Sequence, residues 1–155
     1  MGMQICKIGP DKLHAALELV WETFAKYEVP DYDEMGVETF RHFITYQNMV
    51  SKIESGEMRF WGCYMRGYLV GVIALRCRQH VSLLFVRDKF HHLGVASGLL
   101  RLAVNEVANE HPRFRAVTVN SSPYAVGFYR KMGFKEMGPE EKKDGIRYTP
   151  MKLEF

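Results

Sequence analysis

The chain reads as an α/β protein of the α+β kind, built on a mixed sheet with helices on both faces. Three observations predict this. Strand-like and helix-like textures alternate along the 155 residues in the order β-α-α-β-β-β-α-β-α-β-β. Arg66-Gly67 and Asp144-Gly145 mark tight turns that bring successive strands together. No repeat, low-complexity tract or long linker interrupts the chain, so residues 1–155 are expected to form one domain.

The elements follow in order. MQICKIG alternates in part and reads as a first strand. Pro10 and Asp11 then open a helix with Leu13, Leu17, Val20, Trp21 and Phe24 at helical spacing. After the break EVPDYDEMG, a second helix is expected from about Val37 to Ile53, with Phe40, Phe43, Ile44 and Ile53 on one side. Two helices after a single strand look like a flap rather than a core layer. From Met58 the texture is β: MRFWGCYM and YLVGVIALRC form a hairpin, and HVSLLFV is the next strand. A helix from about Gly94 to Asn109 carries Val95, Leu99, Leu102 and Val107. FRAVTVN is a strand, PYAVGFYRKM a short helix, FKEM a strand, and IRYTPMKLEF the last strand.

Composition narrows the class. Apolar residues at 47% and charged residues at 25% are ordinary for a soluble globular chain. No apolar run approaches the ~18 residues that a membrane span needs, and no secretion-like leader is apparent, so a cytoplasmic protein is expected. The formal charge of +3, with no aromatic RNA-binding motif and no dense basic stripe, argues against a nucleic-acid partner. Cys6, Cys63 and Cys77 are odd in number and unpaired in spacing, which suits reduced core thiols better than bridges or zinc ligands. His80 and His91-His92 lack metal-ligand spacing, so no metal is expected.

The most informative stretch is FVRDKFHHLGVASGLLRLAV, residues 85–104. A β run ends, a charged turn follows, and Gly94 opens an apolar-periodic helix. Such a junction exposes free backbone N–H groups at the positive end of a helix dipole, where phosphates bind. It also serves as an ordinary strand-to-helix connection. Gly94 and Gly98 do not form G-x-G-x-x-G and no Gly-Lys-Ser/Thr follows, so neither a dinucleotide fold nor a P-loop is supported.

Asn120 ends a strand downstream of Gly94, and Tyr129 follows inside FYRKMGF. Together FVRDKFHHLGVASGLL and VTVNSSPYAVGFYRKMGF resemble the acyl-CoA site of the GNAT superfamily of N-acetyltransferases. In that family a strand ends in R/Q-x-x-G-x-G/A, whose amides hold the coenzyme A pyrophosphate. Here the element is His91-His92-Leu93-Gly94-Val95-Ala96, followed by Ser97, with His91 in place of Arg or Gln. The resemblance implies a mostly antiparallel central sheet flanked by helices, and acetyl-CoA as acyl donor with coenzyme A as product. Leu84, Phe85 and Val86 would pair with the pantetheine arm, and Asn120, Ala125 and Phe128 would complete the cofactor site. The Leu84 strand would splay from the strand ending at Asn120, and an amide near Leu84 would stabilise the developing oxyanion.

An amine with pKa about 10 is mostly ammonium at neutral pH, and freeing its lone pair costs roughly 4 kcal/mol. His80 stands where some family members place a catalytic Glu or His, and Ser82, read as lying on the same face, could share a water with it. A strand-end histidine equally serves a structural role. Tyr129 matches the family's general acid; its hydroxyl would hydrogen-bond the departing thiolate, or else simply pack among the aromatics of FYRKMGF. The acceptor, a small-molecule or peptide amine, would enter across the early helices, where Trp21, Glu22, Tyr27, Glu28 and Tyr32 cluster. A non-catalytic CoA-binding sensor and a scaffold that merely keeps the fold are the competing functions. A homodimer through the C-terminal strands follows from the resemblance alone.

Overall fold

A computed structural model describes residues 2–155; Met1 lies outside the described residues. The strands are β1 (Met3–Ile8), β2 (Met58–Met65), β3 (Tyr68–Arg76), β4 (His80–Val86), β5 (Ala116–Ser121), β6 (Lys135–Glu136), β7 (Glu141–Lys143) and β8 (Ile146–Glu154). The helices are α1 (Leu13–Tyr27), α2 (Glu34–Phe43), α3 (Tyr46–Glu54), α4 (Val95–Ala108) and α5 (Val126–Lys131). The sheet runs β1-β2-β3-β4-β5-β8-β6, with β7 paired to β8. Every pairing is antiparallel except β4 with β5, so the expected mixed, mostly antiparallel sheet is what the chain forms.

The sheet separates two apolar layers. On one side α4 and α5 bury Val95, Leu99, Leu100, Ala103, Val107 and Tyr129 against Ile73, Leu75, Val117 and Val119. On the other, α1 buries Leu13, Ala16, Leu19, Val20 and Phe24 against Phe60, Val72, Ala74, Leu83 and Phe85. Each large side chain so enclosed contributes about 1.5–3 kcal/mol relative to exposure. The expectation of a peripheral flap is therefore wrong for α1: its apolar stripe is wide enough to form a core layer.

The single helix expected over 37–53 is two. Thr45 adopts an extended backbone (φ −64°, ψ 148°) between α2 and α3. The Asn48 side-chain amide donates to the Phe43 carbonyl at 2.8 Å, satisfying an end-of-helix acceptor. α2 starts at Asp33, whose carboxylate accepts from the Gly36 amide at 3.0 Å. Gly36 is needed there, because a Cβ would lie 2.7 Å from the Gly145 carbonyl carbon. The Asp144-Gly145 turn also carries a short strand, β7, that the sequence reading did not separate.

Two cysteines depart from expectation. Cys63 is a buried core thiol, whereas Cys6 and Cys77 are exposed; all three are free. Cys6 lies on the edge strand β1, and Cys77 sits in the β3–β4 turn with φ 50°. Among the described residues no helix is long and apolar enough to cross a membrane.

Candidate active site

β4 and β5 are neighbours for only two residue pairs, His80 with Thr118 and Val81 with Val119. Beyond them the strands diverge, and two cavities open along the gap. One, of about 460 Å³, reaches toward the start of α4. The other, of about 440 Å³, lies under α2 and the β7–β8 turn. Glu28, Leu84, Phe85, Ala125 and Tyr129 line both. These five residues stand where a groove on the α4 side adjoins a groove on the α2 side, a junction called the passage below.

β4 is built for this divergence. Its pairing with β3 slips at Ser82, where Ala74 faces Leu83 and Leu75 faces Val81. The extra residue reverses the alternation: Val81 packs in the α4-side core, whereas Leu83 and Phe85 pack in the α1-side core. Alternation alone thus does not place Ser82 on the face of His80, although both line the α2-side cavity.

The α4-side cavity collects most of the expected cofactor residues: Leu84, Phe85, Val86, His91, His92, Gly94, Val95, Ala96, Ser97, Ala125 and Phe128. Gly94 is the N-cap of α4 in the left-handed region, at φ 83°, and no side chain caps the helix. The first intrahelical bond is Gly98 N–H to Gly94 C=O, 2.9 Å, so the amides of Val95, Ala96 and Ser97 precede the ladder. A Cβ on Gly94 would meet nothing closer than Ser97 Oγ at 3.9 Å, so the space in front of the cradle is open. Uncapped amides at the positive end of a 14-residue helix fit a pyrophosphate. Leu93 is absent from this wall and exposes its side chain. Asn120 lies on the α2-side cavity instead.

His91 faces inward, its Nε2 donating to the Val86 carbonyl at 2.7 Å. It ties the cradle loop to the end of β4. A second tie comes from α1: Lys26 and the Tyr27 hydroxyl both donate to Asp88. Tyr27 stacks on Tyr124 with ring centroids 5.2 Å apart, and both line the α4-side cavity. Tyr27 thus stands in the α4-side groove, apart from the expected acceptor residues that line the α2-side groove.

The other expected acceptor residues divide. Glu28 and Tyr32 line the α2-side cavity. Trp21 and Glu22 line neither groove. Trp21 packs beside Phe24 under the Arg41 guanidinium, and Glu22 pairs with Arg87 at 2.6 Å. Trp21 lies about two turns, roughly 10 Å, along α1 from Glu28 on the same face, and Glu22 projects from a different face, so neither reaches the groove that Glu28 lines.

Glu28 is the most perturbed carboxyl at the passage. Burial raises its pKa, a hydrogen bond from Tyr32 lowers it and the Asp31 charge raises it, which together leave it at about 7. Tyr129 is buried, and burial followed by the nearby Glu28 charge holds its hydroxyl above the usual tyrosine range. Burial and the Arg76 charge lower His80 to about 4, while its Nδ1 lies 2.8 Å from Thr118 Oγ1. Sequence reasoning missed Tyr124, Phe90 and Thr23 on one wall and Arg76, Phe40, Phe43 and Tyr148 on the other. Tyr124 sits only four residues after Asn120, close enough to the FYRKMGF element to have been considered.

The acetyltransferase (GNAT) domain model matches residues 28–155. No functionally curated protein matches the chain in sequence. Solved structures share the fold. The GCN5-related N-acetyltransferase of Rhodopseudomonas palustris superposes with a TM-score of 0.82 at 17% identity, covering 100% of this chain and 99% of that one. The PaiA N-acetyltransferase of Thermoplasma acidophilum, in complex with coenzyme A, gives 0.80 at 20% identity, with 100% of both chains covered. Ard1 from Thermoplasma volcanium gives 0.70 at 17% identity, covering 99% and 98%. With the domain model spanning all but the first strand and first helix, the chain belongs to the GNAT acetyltransferase family.

Proposed function

We propose that the protein transfers acetyl from acetyl-CoA directly to a primary amine, with the donor in the α4-side groove and the acceptor in the α2-side groove. The observation that carries this reading is the passage itself. Two cavities approach from opposite directions and share Glu28, Leu84, Phe85, Ala125 and Tyr129. A thioester from one side and an amine from the other would meet there.

Each residue then has a chemical task. The first-turn amides of α4 hold the pyrophosphate, and the free edge of β4 from Leu84 to Val86 pairs with the pantetheine arm. Glu28, poised near 7, takes a proton from the entering ammonium, directly or through one water. It suits this better than His80, whose ring at about 4 is a weaker base for an ammonium near 10. As the amine nitrogen bonds to the acyl carbon, a β4 amide near Leu84 stabilises the oxyanion. The carbon–sulfur bond then breaks, and the Tyr129 hydroxyl hydrogen-bonds the departing thiolate. Its raised pKa makes stabilisation, with late proton transfer, the workable role.

The test begins with calorimetric titration of acetyl-CoA and CoA, with ATP as control, on wild type and Gly94→Trp. Binding of both CoA forms, lost in the variant and absent for ATP, is expected. Thiol release with a panel of amines follows. Absence of CoA binding by folded protein overturns the reading. CoA binding without turnover of any amine supports the sensor function instead.

A further inference from the structure

At the end of the α2-side cavity away from the passage, Arg76 and His80 are paired across the β3–β4 ladder. Val72 and Ala74 of β3 belong to the α1-side core and Ile73 and Leu75 to the α4-side core. Continued alternation turns Arg76 toward α1 and α2, into the cavity that it lines. The other arginines nearby have counter-ions: Arg59 and Arg78 pair with Glu110, and Arg147 pairs with Asp31 and Glu140. Lys142, next to the cavity, pairs with Asp33. Of the three Lys and Arg side chains on this wall, Arg147 is the one that is paired; among the described residues no carboxylate pairs with Arg76 or Lys143. Arg76 is partly buried as a residue, and among the described residues no side chain pairs with its guanidinium.

We propose that the acceptor carries an anionic group, a carboxylate or a phosphate, remote from its amine, and that Arg76 binds that group while the amine reaches Glu28. This rests on the reading that the α2-side groove takes the acceptor. The geometry sets the length. Leu84 at the passage and His80 opposite Arg76 are four residues apart on β4, a separation on the order of 10 Å. An α-amino acid is too short to touch both ends. A polyamine is long enough but would put a second ammonium against Arg76, where like charges repel. A chain with an amine at one end and an anion at the other satisfies both. Of the remaining carboxylates on this wall, Asp144 lies exposed in the β7–β8 turn, away from the β3–β4 end.

Four acceptors with one six-carbon chain test the assignment: hexylamine, 1,6-diaminohexane, 6-aminohexanoate and 6-aminohexyl phosphate, each with saturating acetyl-CoA. An anionic terminus is expected to lower KM by about tenfold or more relative to hexylamine, the scale of one charge-assisted pair. Arg76→Gln should abolish that preference, so that within the variant the anionic acceptors and hexylamine share one KM, and Arg76→Lys should keep part of it. The ratio of the two anionic acceptors tells carboxylate from phosphate. Equal use of hexylamine or the diamine, or a preference unchanged in Arg76→Gln, overturns the proposal. Should acetyl-CoA bind but no amine turn over, the transfer reading fails by itself. The same compounds are therefore also titrated into CoA-saturated protein: 6-aminohexanoate binding that is lost in Arg76→Gln upholds the anion site, and no binding overturns it.

Discussion

The Tyr32 hydroxyl, on the α2-side wall, donates to the Glu28 carboxylate, where the two grooves meet, across 3.4 Å. This contact and burial pull the Glu28 pKa in opposite directions, and burial wins. Glu28→Gln should therefore lower kcat/KM by about 10²–10⁴ and remove an activity limb near pH 7. Tyr32→Phe should shift the same limb to higher pH, because the hydrogen bond that favours the carboxylate is gone. Stability follows with a defined sign. The folded pKa of about 7 lies above the ordinary 4.5, so the folded state holds more protons between those values and loses stability as pH rises through them. Urea unfolding at pH 5 and pH 8 should show Glu28→Gln gaining on wild type at the higher pH.

Tyr129 is buried between Phe128 and Phe134, with ring centroids 5.3 and 5.4 Å away, and removing its hydroxyl leaves that packing intact. Tyr129→Phe should fold and bind CoA like wild type while losing about 10²-fold in turnover. Unchanged turnover would return Tyr129 to a purely packing role.

Gly94 holds φ 83°, where an L-residue pays about 1–2 kcal/mol. The space beside it is open, so Gly94→Ala should cost that backbone strain and nothing for crowding. We expect a Tm lower by about 2–8 °C and, because the cradle amides shift, weaker CoA binding by calorimetry.

Gly71 sets how closely β3 approaches the start of α4. A Cβ there would lie 2.7 Å from Val95 Cγ1 and 3.0 Å from Leu99 Cδ1. Gly71→Ala should destabilise by about 1–3 kcal/mol through overpacking and displace Val95, weakening CoA binding although Gly71 lines neither groove.

His80 has a folded pKa of about 4 against the usual 6.5, so between those values the unfolded state binds more protons. Its contribution to stability is present above pH 6.5 and is lost as pH falls toward 4. Glu28 acts in the opposite sense over part of this range, so the clean observable is the difference between variants. From pH 7 to pH 4.5, His80→Gln should lose less stability than wild type by denaturant unfolding.

Local signals in the sequence were sufficient for the strands other than β7, the hairpin turns and the strand–Gly94–helix junction. A β run, a Gly with positive φ and an apolar-periodic helix are short-range features, and residues 85–104 fold as they read. The break at Thr45 was harder to read, because Phe43, Ile44 and Ile53 keep helical spacing through a residue whose backbone is extended. The Ser82 bulge was hidden for a similar reason: a strand pattern does not show which partner residue is skipped.

The sequence by itself determined the order of α and β elements and the strand–Gly94–helix junction, which depend on neighbours within about one helical turn, and its resemblance to the GNAT family singled out Tyr129 as a candidate acid. Only the tertiary structure decided the rest. It brought Glu28, at the end of α1, to the β4–β5 divergence and desolvated it, turning an ordinary acid into a group poised near 7. It also sent Trp21 and Glu22 elsewhere and left Arg76 lining the α2-side groove without a counter-ion. Burial and charge pairing depend on what arrives from distant parts of the chain, and no local pattern encodes them.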